Sequence, residues 1–386
     1  MVGIYIHIPF CQHKCGYCDF YSLPYSPGDS VYRQFVNALL FEITLRRSEI
    51  PDSKIQTVYI GGGTPSLLTA HQLAQIFSHL KNLFDLDELQ EFTVEINPGT
   101  VDKEKLLSYR EIGITRLSIG VQAFQNHLLQ RLDRIHSAEE AEEVILSAHA
   151  AEFANINLDF IFGIQGQTLQ DWQASLQRAV NLSPTHLSIY NVTYEEGTPF
   201  YKMRQSGQIK PLDAECEEIF YNFGVDFLSQ NGFSRYEISN YSKPGFAGEH
   251  NLTYWNYRPY LGFGPSAHSF DGKKRRWNLP DLNRYLQALN KRKLPPFEEE
   301  KIDRGQQLEE WLFLQMRQTK GLDLDPFYNR FSLPKLNWPA MLQKSFGPGW
   351  QVFLRLDGNN LSFTTKGFWL SDEILPRLLL MLQSPA

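Results

Sequence analysis

Apolar and polar positions along the chain follow two alternating periods. Six short runs, at 3–8, 55–60, 91–96, 115–119, 156–161 and 186–191, are rich in Val, Ile, Leu and aromatic residues and predict β-strands. Between them apolar residues recur three and four apart. Val31, Phe35, Leu39 and Ile43 mark a helix that Asp29 or Ser30 would cap. Leu73, Ile76, Phe77 and Leu80 mark another that starts at Thr69. Strands alternating with helices at this spacing predict a parallel sheet with right-handed crossovers. Six such units make a doubly wound sheet or an incomplete (β/α) barrel, and periodicity alone does not choose.

The residues able to do chemistry narrow that choice, because they follow the strand ends. Cys11, Cys15 and Cys18 come after the first run and Gly61-Gly62-Gly63-Thr64-Pro65 after the second. Glu95 and Asn97 end the third, and Ser118, Gly120 and Gln122 the fourth. Asp159 and Gly163 stand at the fifth, and Tyr190, Asn191 and Tyr194 at the sixth. A barrel brings all six ends to one rim, whereas a doubly wound sheet gathers mainly those at its switch point. The barrel explains more of the pattern.

After residue 200 the rhythm changes. A helix is expected over 212–228, then a Gly- and aromatic-rich stretch to residue 270. The polar segment 291–300 reads as a linker between a core of residues 1–290 and a small domain of 301–386. That domain is expected to be α+β and winged-helix-like, with a helix at 308–316, a hairpin around Asp357-Gly358-Asn359-Asn360 and a last helix from Ser371.

Composition changes the picture mainly by exclusion. With 386 residues, 42% hydrophobic and 13% aromatic, the chain can fill a sizeable core. A net charge of −6 gives no broad footprint for nucleic acid or anionic membrane. The first residues lack the basic start of a leader, and the greasy stretch 374–382 is broken by Pro376 and Arg377. A cytoplasmic protein is the expectation. In that reducing setting four cysteines are no disulfide scaffold, and three of them fall within eighteen residues.

Their spacing, Cys11-x3-Cys15-x2-Cys18, lets three thiolates face one centre. Structural zinc wants a fourth ligand. An iron–sulfur cubane normally takes four cysteines, so three leave one iron open to a substrate or cofactor. Cys216 lies 198 residues beyond Cys18 among Ile219, Phe220, Phe223 and Phe227, and reads as a core residue of a helix before it reads as a fourth ligand. His13 lies inside the loop and would point away from converging sulfurs.

The cysteine spacing with Tyr17 before the last cysteine resembles the signature of the radical S-adenosylmethionine (SAM) enzymes. That resemblance implies a partial (β/α)6 barrel, a [4Fe–4S] cluster on Cys11, Cys15 and Cys18, and SAM chelating the fourth iron. Reductive cleavage of SAM to a 5′-deoxyadenosyl radical is the chemistry of such a site. It also implies SAM contacts at Gly62, Gly63 and Thr64, where a flexible backbone can approach a ligand. A phosphate loop is the rival reading, but no Gly-Lys-Ser/Thr ending follows. Glu95 could face the mouth and take ribose hydroxyls or an ammonium, or form a rim salt bridge, while Gln122 and Asp159 match further SAM-contacting positions. In Gly163-Ile164-Gln165-Gly166-Gln167-Thr168 the family's usual proline is replaced by Gln165, which puts loop rigidity in doubt.

Later segments resemble the branch that holds oxygen-independent coproporphyrinogen III dehydrogenases and heme chaperones. They are Tyr190 to Phe200, His250-Asn251-Leu252-Thr253-Tyr254-Trp255 and Leu261 to Ala267. The dehydrogenase carries a further cysteine two residues after the third, where this chain has Phe20, and an extension before its first strand. Both differences favour the chaperone side. There His250 is implied as an axial heme ligand, the rival being a rim histidine bonded within its own loop. The partners implied are heme, client hemoproteins such as respiratory enzymes and an electron donor. A homodimer stays open, membrane contact is at most peripheral and no nucleic acid is expected. The dehydrogenase, which decarboxylates coproporphyrinogen III, is the alternative. A tRNA-modifying radical enzyme fits the core but not the acidic balance. From residue 301 on, basic residues outnumber acidic ones by only two, too few for a groove reader. The run Lys273-Lys274-Arg275-Arg276 grips propionates or is simply solvated, with solvation the default.

Overall fold

Each of the six apolar runs is a strand: β1 (Val2–Ile8), β2 (Ile55–Gly62), β3 (Glu91–Ile96), β4 (Arg116–Gln122), β5 (Asn155–Phe162) and β6 (His186–Asn191). They come from a computed structural model that describes residues 2–26, 28–50 and 54–383. All six pair in parallel and in chain order. A doubly wound sheet would reverse its order at a switch point, so the consecutive order decides for the barrel-type arrangement.

The crossovers carry α1 (Ser30–Arg46), α2 (Ala70–Leu83), α3 (Lys103–Ile112), α4 (Ala138–Ala150) and α5 (Leu169–Asn181). Thr69, Ser137 and Thr168 start their helices with reciprocal capping boxes, so local sequence fixes where each begins. Asp29 stands at the N-cap of α1 but makes no side-chain cap bond. Despite Gln165, the loop before α5 is closed by the Gln167 carboxamide, which accepts from the Gly163 and Ile164 N–H groups.

The Gly- and aromatic-rich stretch extends the same sheet. It contributes β7 (Ser234–Arg235), β8 (Asn240–Ser242), β9 (Tyr260–Phe263), β10 (His268–Phe270) and β11 (Lys274–Asn278). β9 lies parallel beside β1 and β8 runs antiparallel to β6, so the described sheet has twelve strands with β12 (Phe297–Lys301) at one edge. Four of the ten residues of the expected 291–300 linker therefore belong to an edge strand. Its register sets Glu298, Glu299 and Glu300 opposite Trp277, Arg276 and Arg275.

That pairing also revises the basic run. Lys274 pairs with Glu299 at 3.3 Å, Arg275 with Glu300 and Glu310 at 2.9 Å each, and Arg276 with Glu49 at 3.1 Å. Arg275 and Arg276 are thus held in ion pairs, while Lys273 is exposed and Lys274 is 42% exposed, so solvation holds only for the lysines of the run.

Two more helices matter to the site, α6 (Ala214–Gln230) and α7 (Glu249–Trp255). Beyond residue 303 come helices and a small antiparallel sheet of Leu322–Asp323, Leu354–Asp357 and Asn360–Phe363, with the expected hairpin at 357–360. Leu312, Phe327 and Trp338 join the same buried cluster as the barrel residues. The Gln315 and Gln318 carboxamides donate to the Trp255 carbonyl at 2.9 Å each, which ties α7 to this segment.

Candidate functional site

The C-terminal strand ends surround a cavity of about 530 Å³. Its lining includes Cys11, Cys15, Cys18, Gly62, Gly63 and Thr64. Gln122, Glu95 and Asp159 line it too, so the sequence-predicted residues of the rim meet in one place.

The cysteine loop is held by backbone contacts. The Gly63 N–H donates to the Ile8 carbonyl at 2.8 Å and the Thr64 N–H to the Phe10 carbonyl at 2.7 Å. Pairing of Phe10–Cys11 with Leu23–Pro24 closes the loop behind the thiols. His13 pairs with Asp133 at 2.9 Å and borders the same cavity as the thiols. Thr64 Oγ1 donates to Cys11 Sγ at 3.4 Å and accepts from Asn97 Nδ2 at 2.8 Å. Asn97 Oδ1 in turn accepts from Arg134 Nη1 at 3.2 Å, and the Arg134 guanidinium lies 5.7 Å from the Tyr17 ring centroid.

Arg134 is a residue that sequence reasoning missed. It lines the cavity with a buried Nε that has no hydrogen-bond partner, so a ligand group there would complete it. Burial pushes the Cys15 thiol up to about 11, and the Arg134 cation pulls it the other way. Nothing in the spacing of Leu132-Asp133-Arg134-Ile135 signals this role; only the fold brings it to the thiols.

The glycine loop is tied down by its own backbone. Its N–H groups are spent inside the protein, since Gly62 donates to Glu95 Oε2 at 3.0 Å and the next two donate to the cysteine loop. The loop thus offers a ligand no N–H donors from these residues. That suits contact with an amino group, which needs acceptors, and not a phosphate. Gly62 is also required by its φ of 112° and by the His7 ring, which a Cβ would meet at 2.6 Å.

Across the mouth, Tyr59 donates to Glu95 Oε1 at 2.7 Å. Burial raises the Glu95 carboxyl to about 7, against the Tyr59 and Gly62 hydrogen bonds, with the nearby Asp159 charge adding to the rise. Asp159 accepts from Ser118 Oγ at 3.1 Å and from Asn157 Nδ2 at 2.8 Å. Gln122 takes a φ of 66° where the β4–β5 register shifts. Such a bulge re-aims a side chain at the end of a strand.

Two side chains lie elsewhere than the sequence suggests. Cys216 is not a core residue: it is half-buried in the first turn of α6, where Asp213 accepts its N–H at 2.8 Å, and it does not line the cavity. The helix face expected to be apolar leaves Ile219 46% exposed. His250 is not at the rim. It is 1% exposed in the barrel floor, where α7 plugs the N-terminal strand ends. Its Nδ1 meets Thr57 Oγ1 and its Nε2 meets Tyr254 Oη, both at 2.8 Å, and Tyr59 stacks on the ring. Burial lowers its pKa to about 3, so the imidazole is neutral. Neither nitrogen is presented to a ligand in this conformation.

Among the described residues no three His, Cys, Asp or Glu side chains are grouped as ligands of one metal ion. Cys11, Cys15 and Cys18 all border the cavity, and three thiols leave one iron of a cubane for a further ligand. The donor set, the cation beside it and the cavity next to it therefore fit a [4Fe–4S] cluster with a ligand above it.

Comparison with known proteins agrees with this geometry. The Radical SAM superfamily model matches residues 5–179. The heme chaperone HemW of Bacillus subtilis (strain 168) is 35% identical over 86% of this chain and 87% of its own length. Heme chaperone HemW of Lactococcus lactis is 32% identical over 97% of both chains, and that of Mycobacterium tuberculosis is 34% identical over 98% of this chain and 94% of its own. Among solved structures, coproporphyrinogen III oxidase (HemN) from Escherichia coli, a radical SAM enzyme, superimposes with a TM-score of 0.83 at 22% identity. It covers 98% of this chain and 89% of its own, and at that identity the likeness is one of fold. The chain belongs to the radical SAM superfamily, in the family of the heme chaperone HemW.

Proposed function

We propose that this protein binds heme and delivers it to client hemoproteins such as respiratory enzymes, from a barrel that holds a [4Fe–4S] cluster and SAM. The observation that carries the chaperone reading is Phe20, 67% exposed at the cavity mouth where the dehydrogenase branch carries a further cysteine. An apolar ring there offers no thiol chemistry to a substrate propionate. Cys11, Cys15 and Cys18 would hold the cluster, and when bound it supplies an electron for SAM cleavage, drawn from an external donor. Gly62, Gly63, Thr64, Glu95, Gln122 and Asp159 would hold SAM, and the Arg134 guanidinium in the same lining would pair with an anionic group of the ligand. Among the described residues no helix is long and apolar enough to cross a membrane, and we place the protein in the cytoplasm. Heme is the cargo. Capture through His250 requires α7 to leave the barrel floor, since both ring nitrogens are engaged there.

The test is anaerobic. The protein is reconstituted with iron and sulfide, given SAM and a reductant, and offered coproporphyrinogen III and, separately, heme. Stoichiometric heme uptake without decarboxylation is expected. Formation of protoporphyrinogen would overturn the chaperone reading in favour of the dehydrogenase.

A further inference from the structure

A line of buried polar side chains crosses the barrel from the SAM-side rim to the floor. Asp159 at the mouth accepts from Asn157 Nδ2 at 2.8 Å. Asn157 Oδ1 faces His186 Nδ1 at 2.6 Å, and His186 Nε2 faces Tyr236 Oη at 2.8 Å. Tyr236 Oη accepts from the Gly248 N–H at 3.3 Å and from Asn251 Nδ2 at 3.2 Å. Gly248 caps α7 and Asn251 lies within it.

One assignment of donors and acceptors satisfies every group along the line. Asn157 must point its amide at the Asp159 carboxylate, so its carbonyl accepts from His186 Nδ1–H. The neutral imidazole then accepts at Nε2, and the Tyr236 hydroxyl donates to it. That leaves the Tyr236 oxygen to accept from the floor. His186 is 1% exposed and Asn157 2%, so no water competes cheaply for these positions. Reversing one link leaves a buried donor or acceptor without a partner.

We propose that Asn157, His186 and Tyr236 are positioning residues for SAM binding, which together with Ser118 hold the Asp159 carboxylate and tie its placement to the seating of α7 in the floor. The proposal rests on the reading of Asp159 as a SAM contact. Tyr59 contributes a second tie between the two ends, because it bonds to Glu95 at the mouth and stacks on His250 in the floor.

The test measures SAM affinity in the reconstituted protein for Tyr236→Phe, Asn251→Ala, Asp159→Asn and the Tyr236→Phe/Asp159→Asn double variant. Tyr236→Phe keeps the ring against His186 and removes one hydroxyl, so it should bind SAM about fivefold more weakly. Asn251→Ala should weaken binding in the same direction. The double variant should bind no more weakly than Asp159→Asn alone, since the effect passes through that carboxylate. Hydrogen exchange gives a second readout: SAM should slow exchange over 248–255 in the parent protein and not in Tyr236→Phe. Additive losses in the double variant, or full SAM affinity in Tyr236→Phe and Asn251→Ala beside a weakened Asp159→Asn, overturn the relay. Unchanged affinity in Asp159→Asn overturns the underlying assignment of Asp159 instead.

Discussion

At the scale of single residues, the rim carboxylates set how the site answers to pH. Glu95 has its pKa raised to about 7, mainly by burial, with Tyr59, Asp159, Arg116 and the Gly62 N–H facing it. As a carboxylate it accepts from ligand hydroxyls, so SAM affinity should strengthen as pH rises through about 7. Titrating SAM at several pH values checks this; Glu95→Gln should bind about tenfold more weakly and lose that pH dependence. Glu237 is wholly buried and also raised from its usual 4.5 to about 7, chiefly by burial. The folded protein keeps this proton where the unfolded chain has released it. Its contribution is full below the unfolded value of 4.5 and declines as pH rises to about 7. Denaturant midpoints at about pH 5 and about pH 8 should therefore differ less in Glu237→Gln than in the parent. The cysteines, Glu95, Gln122 and Asp159 were legible because each lies near or just past the C-terminal end of an apolar run. Arg134 was not, because its partners Tyr17 and Asn97 are brought to it by the closing of the sheet.

At the scale of elements, the cysteine loop and the glycine loop depend on each other. A Cβ on Gly63 would lie 2.5 Å from the Phe10 carbonyl oxygen and 3.0 Å from that of Ile8, the two acceptors that tie the loops together. Gly63→Ala should cost roughly 1–3 kcal/mol in denaturant unfolding of the cluster-free protein and lower the iron bound per chain on reconstitution. The glycine motif was readable as a close approach, but what it approaches is the neighbouring strand end, a partner no sequence window contains. The six core strands were legible for the opposite reason: apolar runs bounded by turns report burial on both faces directly. The 291–300 segment misled because charge normally marks a linker. Here Glu299 and Glu300 are strand residues whose cross-strand partners, Arg276 and Arg275, are basic. The His250 segment reads as a ligand motif and folds as a plug, its polar side chains turned to bonds within the barrel.

At the scale of the whole molecule, the plug sets two demands against each other. The backbone N–H groups of Glu249 and His250 donate to Glu91 in β3, while the His250 ring is bonded to Thr57 and Tyr254. Heme ligation by His250 must break the ring bonds and lift α7 from Glu91. The same movement takes Asn251 from Tyr236 and loosens the line that ends on Asp159. Heme capture and SAM binding are then coupled with negative sign, and linkage makes the coupling reciprocal. Protein loaded with heme should bind SAM about fivefold more weakly than heme-free protein, and saturating SAM should weaken heme uptake by the same factor. Both are measurable by anaerobic titration, following the heme Soret band in one direction and SAM retention in the other. Equal SAM affinity with and without heme would mean that heme is held without unseating α7. In that case His250→Ala should leave heme uptake intact. A rim that grips SAM only over a seated floor would let heme arrival at one end of the barrel be felt at the cluster end, through hydrogen bonds that run inside the barrel.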